Sequence, residues 1–145
     1  MKNMIVWLSL LGLSPLAAAA PRVALVREYR TGFVPASWTR SDRCEVSLKE
    51  TRITRTFQGV SSTEIRTIVI SDVNDLLLKA SQGKITSENG PVDSPTQVYY
   101  GYLEGEKGSL QKVDLYEENG EVGLLKYNNA EAAATLRHLL DVNCA

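Results

Sequence analysis

Apolar residues alternate with polar ones along most of this chain and adopt a helical spacing in two places. From Asn129 to Cys144, Ala132, Leu136, Leu139 and Leu140 recur at i, i+4, i+7 and i+8, one stripe of a helix. Asn128 or Asn129 can cap its start, because an asparagine oxygen accepts a free first-turn N–H. The second helix is expected to begin at Ser71, which can cap it. Val73, Leu76, Leu77 and Ala80 form its stripe, Asp72 and Asp75 sit where the helix dipole favours anions, and Gly83 is placed to end it.

The remaining pattern has a period of two. Val23 to Tyr29 reads as a first strand. Cys44, Val46 and Leu48 alternate with Glu45, Ser47 and Lys49, but Ile53 and Phe57 fall on the opposite parity. A one-residue slip turns every side chain over, so a bulge or break is required between Lys49 and Thr51. Thr51 to Thr56 is β-prone, Gly59 with Ser61 and Ser62 makes a turn, and Glu64 to Ile70 returns as a strand, which predicts a hairpin. Gln97 to Leu103, Leu110 to Tyr116 and Val122 to Tyr127 are the last three strands, with Asn119-Gly120 as a hairpin signal. Two connections are expected to lack regular structure. Thr31 to Asp42 contains Trp38, expected to fold back as a plug on the core, and Lys84 to Thr96 is rich in Pro, Gly, Asn and Asp. The expected fold class is α+β: an antiparallel sheet in two sections, with a central helix between them and a helix at the C-terminal end.

The first twenty residues fall outside this pattern. Lys2 precedes a mostly apolar run from Met4 to Leu13, Ser14-Pro15 breaks it, and Ala17 to Ala20 supply small residues. That is the layout of a signal peptide cleaved after Ala19 or Ala20, with Pro21 a poor first residue that favours Ala19. The run is too short for the roughly 20 residues a membrane span needs. The expectation is an exported chain, periplasmic or extracellular, with residues 21–145 forming one domain that carries no transmembrane segment.

Two cysteines, Cys44 and Cys144, remain in that domain. In an oxidising compartment they predict one disulfide closing a long loop. Without Lys2 there are 15 basic and 17 acidic side chains, a net charge of −2. Residues 21–60 carry +4 and residues 61–145 carry −6. This balance excludes a strong field for nucleic acid, and the asymmetry is read as two halves that attract each other or solvate their own surfaces.

Candidate chemistry is sparse. The one histidine, His138, lies near the edge of the C-terminal stripe, where Asp141 could touch it, and no nucleophile elbow accompanies the pair. No metal-ligand spacing, phosphate loop or dinucleotide fingerprint occurs, so no metal or cofactor is expected. The arginines Arg40, Arg43, Arg52 and Arg55 flank or lie on the first cysteine strand, and Arg52 and Arg55 could read phosphate or carboxylate groups of a partner. Charges on a strand more often keep a sheet edge from pairing with other chains. Tyr99, Tyr100 and Tyr102 offer contact area at low entropy cost. Pro91, Asp93 and Pro95 punctuate the loop over residues 87–96. The function these features suggest is a small exported domain, more a binder than an enzyme, that takes a protein or an envelope polymer. Two alternatives stand beside it: a protease inhibitor that presents the 87–96 loop, and a small hydrolase with no nameable site.

Overall fold

The computed structural model describes residues 22–145. The expected signal segment, residues 1–20, lies outside them. Eight strands and two helices follow in chain order: β1 (Val23–Arg30), β2 (Arg40–Ser47), β3 (Glu50–Phe57), β4 (Val60–Thr67), α1 (Val73–Ser81), β5 (Ile85–Asn89), β6 (Thr96–Glu104), β7 (Leu110–Asn119), β8 (Leu124–Asn128) and α2 (Glu131–Asn143). The expected antiparallel sheet is present, and its strands run in one continuous order, β4-β3-β2-β1-β6-β7-β8-β5. The β1–β6 ladder, Leu25 opposite Gly101 through Arg30 opposite Thr96, joins the two halves. α1 packs beside α2, and both lie on one face of the sheet against β1, β6 and β7.

The phase slip near Lys49 is a hairpin turn, not a bulge. Val46 faces Thr51 and Cys44 faces Ile53, so even positions of β2 share a face with odd positions of β3. The buried Ser47 fixes that turn: its hydroxyl donates to the Glu50 carbonyl at 3.0 Å and accepts from the Glu50 N–H at 3.0 Å. The next turn, Gln58-Gly59, has both residues in the left-handed region at φ 52° and 76°. That conformation matches the right-handed twist of the flanking strands.

Asparagine does not cap α2 as expected; Ala130 occupies the N-cap without a side-chain bond. Asn128 is instead a buried tie. Its amide donates to the carbonyls of Ala80 at 2.8 Å and Asp114 at 3.1 Å, and its oxygen accepts from the Ala130 N–H at 3.0 Å. Asn129 accepts from the Lys84 N–H at 2.9 Å. At α1 the N-cap is Asp72 in the left-handed region rather than Ser71, which donates to the Asp72 carboxylate at 2.9 Å.

Leu25, Val46, Ile53, Val113 and Leu115 from the sheet meet Val73, Leu77, Leu136 and Leu140 from the helices in the core. A Cβ at Gly101 would lie 2.3 Å from Leu77 Cδ2, so the missing side chain lets α1 approach the sheet. The Cys44–Cys144 disulfide, spanning 100 residues, fastens the end of α2 to β2 within this core. Arg30–Glu121 at 2.5 Å and Arg27–Asp141 at 3.4 Å, with Arg22–Glu104, link the basic first part of the chain to the acidic remainder. Such exposed pairs contribute little stability each. Among the described residues no helix is long and apolar enough to cross a membrane.

Two sequence expectations fail on local grounds. Trp38 ends a single 3-10 turn, Ala36–Trp38, and is 67% exposed, so it plugs nothing. The segment read as a loop from Lys84 contains β5, which pairs with β8 from Ile85–Asn128 to Asn89–Leu124. An edge strand needs only backbone partners, so this polar stretch carries no alternating apolar signal.

Candidate functional site

With both helices on one side, the opposite face of the sheet is left uncovered. Register assigns its side chains. Thr54 pairs with Arg43, Arg43 with Glu28, and Glu28 with Val98, so these four lie in a row across β3, β2, β1 and β6. The neighbouring row is Thr56, Ser41, Arg30 and Thr96. Together they line a groove of about 430 Å³. Its walls are hydroxyls and ion pairs, with Val98 as the apolar patch.

The charges in the groove are held in place. Arg43 bonds to Glu28, to Glu45 at 2.9 Å and to the Tyr100 hydroxyl at 3.4 Å. The Tyr100 hydroxyl donates to Glu28 at 2.9 Å. Burial and that carboxylate both raise the Tyr100 pKa, so the phenol stays a donor. The Tyr100 ring meets Tyr102 edge-on at 5.6 Å, and the Lys112 ammonium lies 4.5 Å from its centroid. Val26, flanked in register by Glu45 and Tyr100, is fully buried among these longer side chains. On β3 and β4, Thr54 meets Thr63 at 3.3 Å and Thr56 meets Ser61 at 2.8 Å through their hydroxyls.

At the groove's end the β1–β2 loop and the β3–β4 hairpin come together, tied by the Gln58 amide donating to the Ser37 carbonyl at 2.8 Å. Phe33, Trp38, Phe57 and Val60 are all exposed there. A smaller cavity of about 260 Å³ between Arg30, Phe33, Val34 and Glu121 adjoins it.

The residues singled out from the sequence fall into three places. Tyr100, Tyr102 and Arg52 belong to the uncovered face, with Arg52 on the same side of β3 as Thr54. Tyr99 and Arg55 point to the helix side. Tyr99 is buried, stacks edge-on with Tyr116 at 5.7 Å and donates to Asp141 at 2.9 Å. The Arg137 guanidinium lies 3.9 Å from the Tyr116 ring centroid. Arg55 bonds Glu64 at 3.0 Å, and these charges lie one strand in from the edge and on the edge itself. Arg55 and Arg66 hold the Glu64 carboxyl down at about 2, Arg66 through the larger hydrogen-bond effect. Pro91, Asp93 and Pro95 lie in the β5–β6 loop, which is less free than its composition suggests. The Gly90 N–H donates to the Gly123 carbonyl at 2.8 Å and the Asp93 N–H to the Gly120 carbonyl at 3.0 Å. Gly120 packs so tightly on Ser94 that a Cβ would lie 1.9 Å from its carbonyl oxygen.

His138 is exposed, and Asp141 is engaged by Tyr99 and Arg27 instead. Among the described residues no group of three or more His, Cys, Asp or Glu is placed to hold a metal. Glu28, Ser41, Thr54, Thr56 and Thr96 also line the groove and carry no motif that marks them in the sequence. Alternation shows that Thr54 and Thr56 share a face, but which face the helices leave open depends on long-range docking. Comparisons of this chain with protein-family models, with curated protein sequences and with solved structures find no match in any of the three.

Proposed function

We propose that this chain is an exported domain without a catalytic role, which binds a protein or an envelope component across its uncovered sheet face. The observation that carries this reading is the groove over β3, β2, β1 and β6, where four hydroxyl side chains alternate with Glu28, Arg30 and Arg43. Such a lining offers many hydrogen bonds in both directions, and the methyl and methylene groups of the same side chains add apolar contact area beside Val98. It suits an extended, polar ligand rich in hydroxyl or amide groups. Because Arg43 is already oriented by Glu28 and Glu45, its side chain loses little freedom when a ligand docks. The test is to retain a ligand from an envelope extract of the producing cells on the immobilised domain, and then titrate it into isotopically labelled protein. Amide shifts should concentrate at Ser41, Arg43, Thr54, Thr56 and Val98. Shifts confined to the helices would overturn the reading.

The loop supports a second reading, inhibition of a protease. Pro91, Val92 and Asp93 are exposed while the N–H groups of Gly90 and Asp93 pin the loop to the β7–β8 turn, as a rigid reactive segment would be. Inhibition of a protease panel that is lost on Val92→Gly or Asp93→Gly substitution would favour it over the groove.

A further inference from the structure

The outer edge of the sheet points to a second property, independent of what the groove holds. β4 is an edge strand of eight residues, and all but Arg66 are exposed. Natural sheets usually blunt such an edge with unpaired charges, lysine above all, or with proline, a bulge or a covering segment. β4 contains no proline and no lysine, its two charges, Glu64 and Arg66, compensate each other at 2.7 Å, and its register with β3 runs without a shift from Val60–Phe57 to Thr67–Glu50. The other edge, β5, has only five residues and runs into Gly90-Pro91.

Backbone geometry shows which groups of β4 are free. Val60 and Phe57 close a two-residue hairpin turn, so they form a hydrogen-bonded pair, and every second pair does likewise. Ser62, Glu64 and Arg66 therefore bond inward to β3, and the Ile68 N–H continues the ladder to Lys49 at 3.0 Å. The N–H and C=O groups of Ser61, Thr63, Ile65 and Thr67 point outward, away from the sheet.

We infer that β4 pairs antiparallel with β4 of a second copy of this chain, about a twofold axis at Ile65. Charge selects this register. An axis at Glu64 would set the two Glu64 carboxylates directly opposite each other. An axis at Thr63 would set Glu64 against Ser62 and Arg66 against Val60, with no charge compensation. An axis at Ile65 sets Glu64 of each copy against Arg66 of the other, places Ile65 against Ile65, and matches the β-branched Thr63 and Thr67. Ile65 is 57% exposed in the single chain, so this contact removes apolar surface from water. The outward groups of Thr63, Ile65 and Thr67 then make about six backbone hydrogen bonds across the axis. Strand addition of this kind takes its affinity from the backbone and its register from side chains.

Sedimentation velocity on the disulfide-bonded protein, from micromolar to near-millimolar concentration, tests the association. A dimer is expected. Thr63→Pro, which removes an outward N–H that the single chain does not use, should weaken it at least about tenfold. Ile65→Lys should do the same should the proline variant fail to fold. Register is read by oxidative cross-linking of single-cysteine variants. Ile65→Cys is expected to cross-link to its own copy, because a residue on the axis meets itself, and Glu64→Cys is not. A monomer throughout the concentration range would overturn the inference. So would a dimer indifferent to both β4 substitutions, or cross-linking at Glu64→Cys in place of Ile65→Cys.

Discussion

Replacing Thr51 by valine should make this domain more stable, against the usual direction of a change at a fully buried position. Thr51 sits on β3 between Val46 and Arg66 in register and is 0% exposed. Its hydroxyl is buried without a hydrogen-bond partner. An unpaired buried hydroxyl costs about 1–3 kcal/mol in lost hydration. Valine keeps the β-branched shape and the β propensity while removing that group, so the expected gain is about 1–2 kcal/mol. For a domain of this size that is roughly 2–8 °C in the thermal midpoint. Urea denaturation of the oxidised protein should show a higher midpoint at unchanged slope, since the surface exposed on unfolding is nearly the same. Thr51→Ser is the control: it keeps the hydroxyl and deletes a buried methyl, and should lose about 1 kcal/mol. A destabilised Thr51→Val protein would show that the hydroxyl is satisfied in solution and would refute the reasoning.

Three further outcomes follow from the fold. Replacing both Cys44 and Cys144 with serine should lower stability by up to about 4.7 kcal/mol on the chain-entropy account of a 100-residue loop, read from the shift in urea midpoint. Gly120→Ala would place a Cβ 1.9 Å from the Ser94 carbonyl oxygen and force the β5–β6 loop off the β7–β8 turn, so it should cost about 1–3 kcal/mol in the same assay. Tyr99 has its pKa pushed up to about 12, first by burial and then by its bond to Asp141. A group raised in the folded state adds stability that is complete below its unfolded value near 10 and is lost as pH rises through 12. Unfolding midpoints measured across that window should fall for the wild type and fall less for Tyr99→Phe.

What the sequence disclosed depended on how local the signal was. The stripes of α1 and α2, a turn at Gly59 and the Cys44–Cys144 pair were readable, because each rests on spacing, turn chemistry or a unique pair of cysteines, whereas Ser61 and Ser62 belong to β4 and the last hairpin turns over residues 120–123 rather than at Asn119-Gly120. The joining of both strand groups into one sheet was not, since β1 and β6 lie far apart in the chain and nothing in either strand names its partner. β5 stayed hidden because its outward positions are polar and only its backbone is used. Trp38 misled because its size suggests a core residue, while its loop closes through Thr31 and Arg40 without it. The tyrosine run contained two positions of the uncovered face, but alternation alone cannot say that Tyr100 faces the groove side and Tyr99 the helices.

The groove itself is the point to test. Thr54→Trp and Thr56→Trp would fill it from β3, an interior strand position that tolerates aromatic residues, while leaving the helix-covered core untouched. Calorimetric affinity for the retained envelope ligand should fall at least about tenfold in each variant, with the unfolding midpoint unchanged. Full affinity with the groove filled would contradict the assignment of binding to this face.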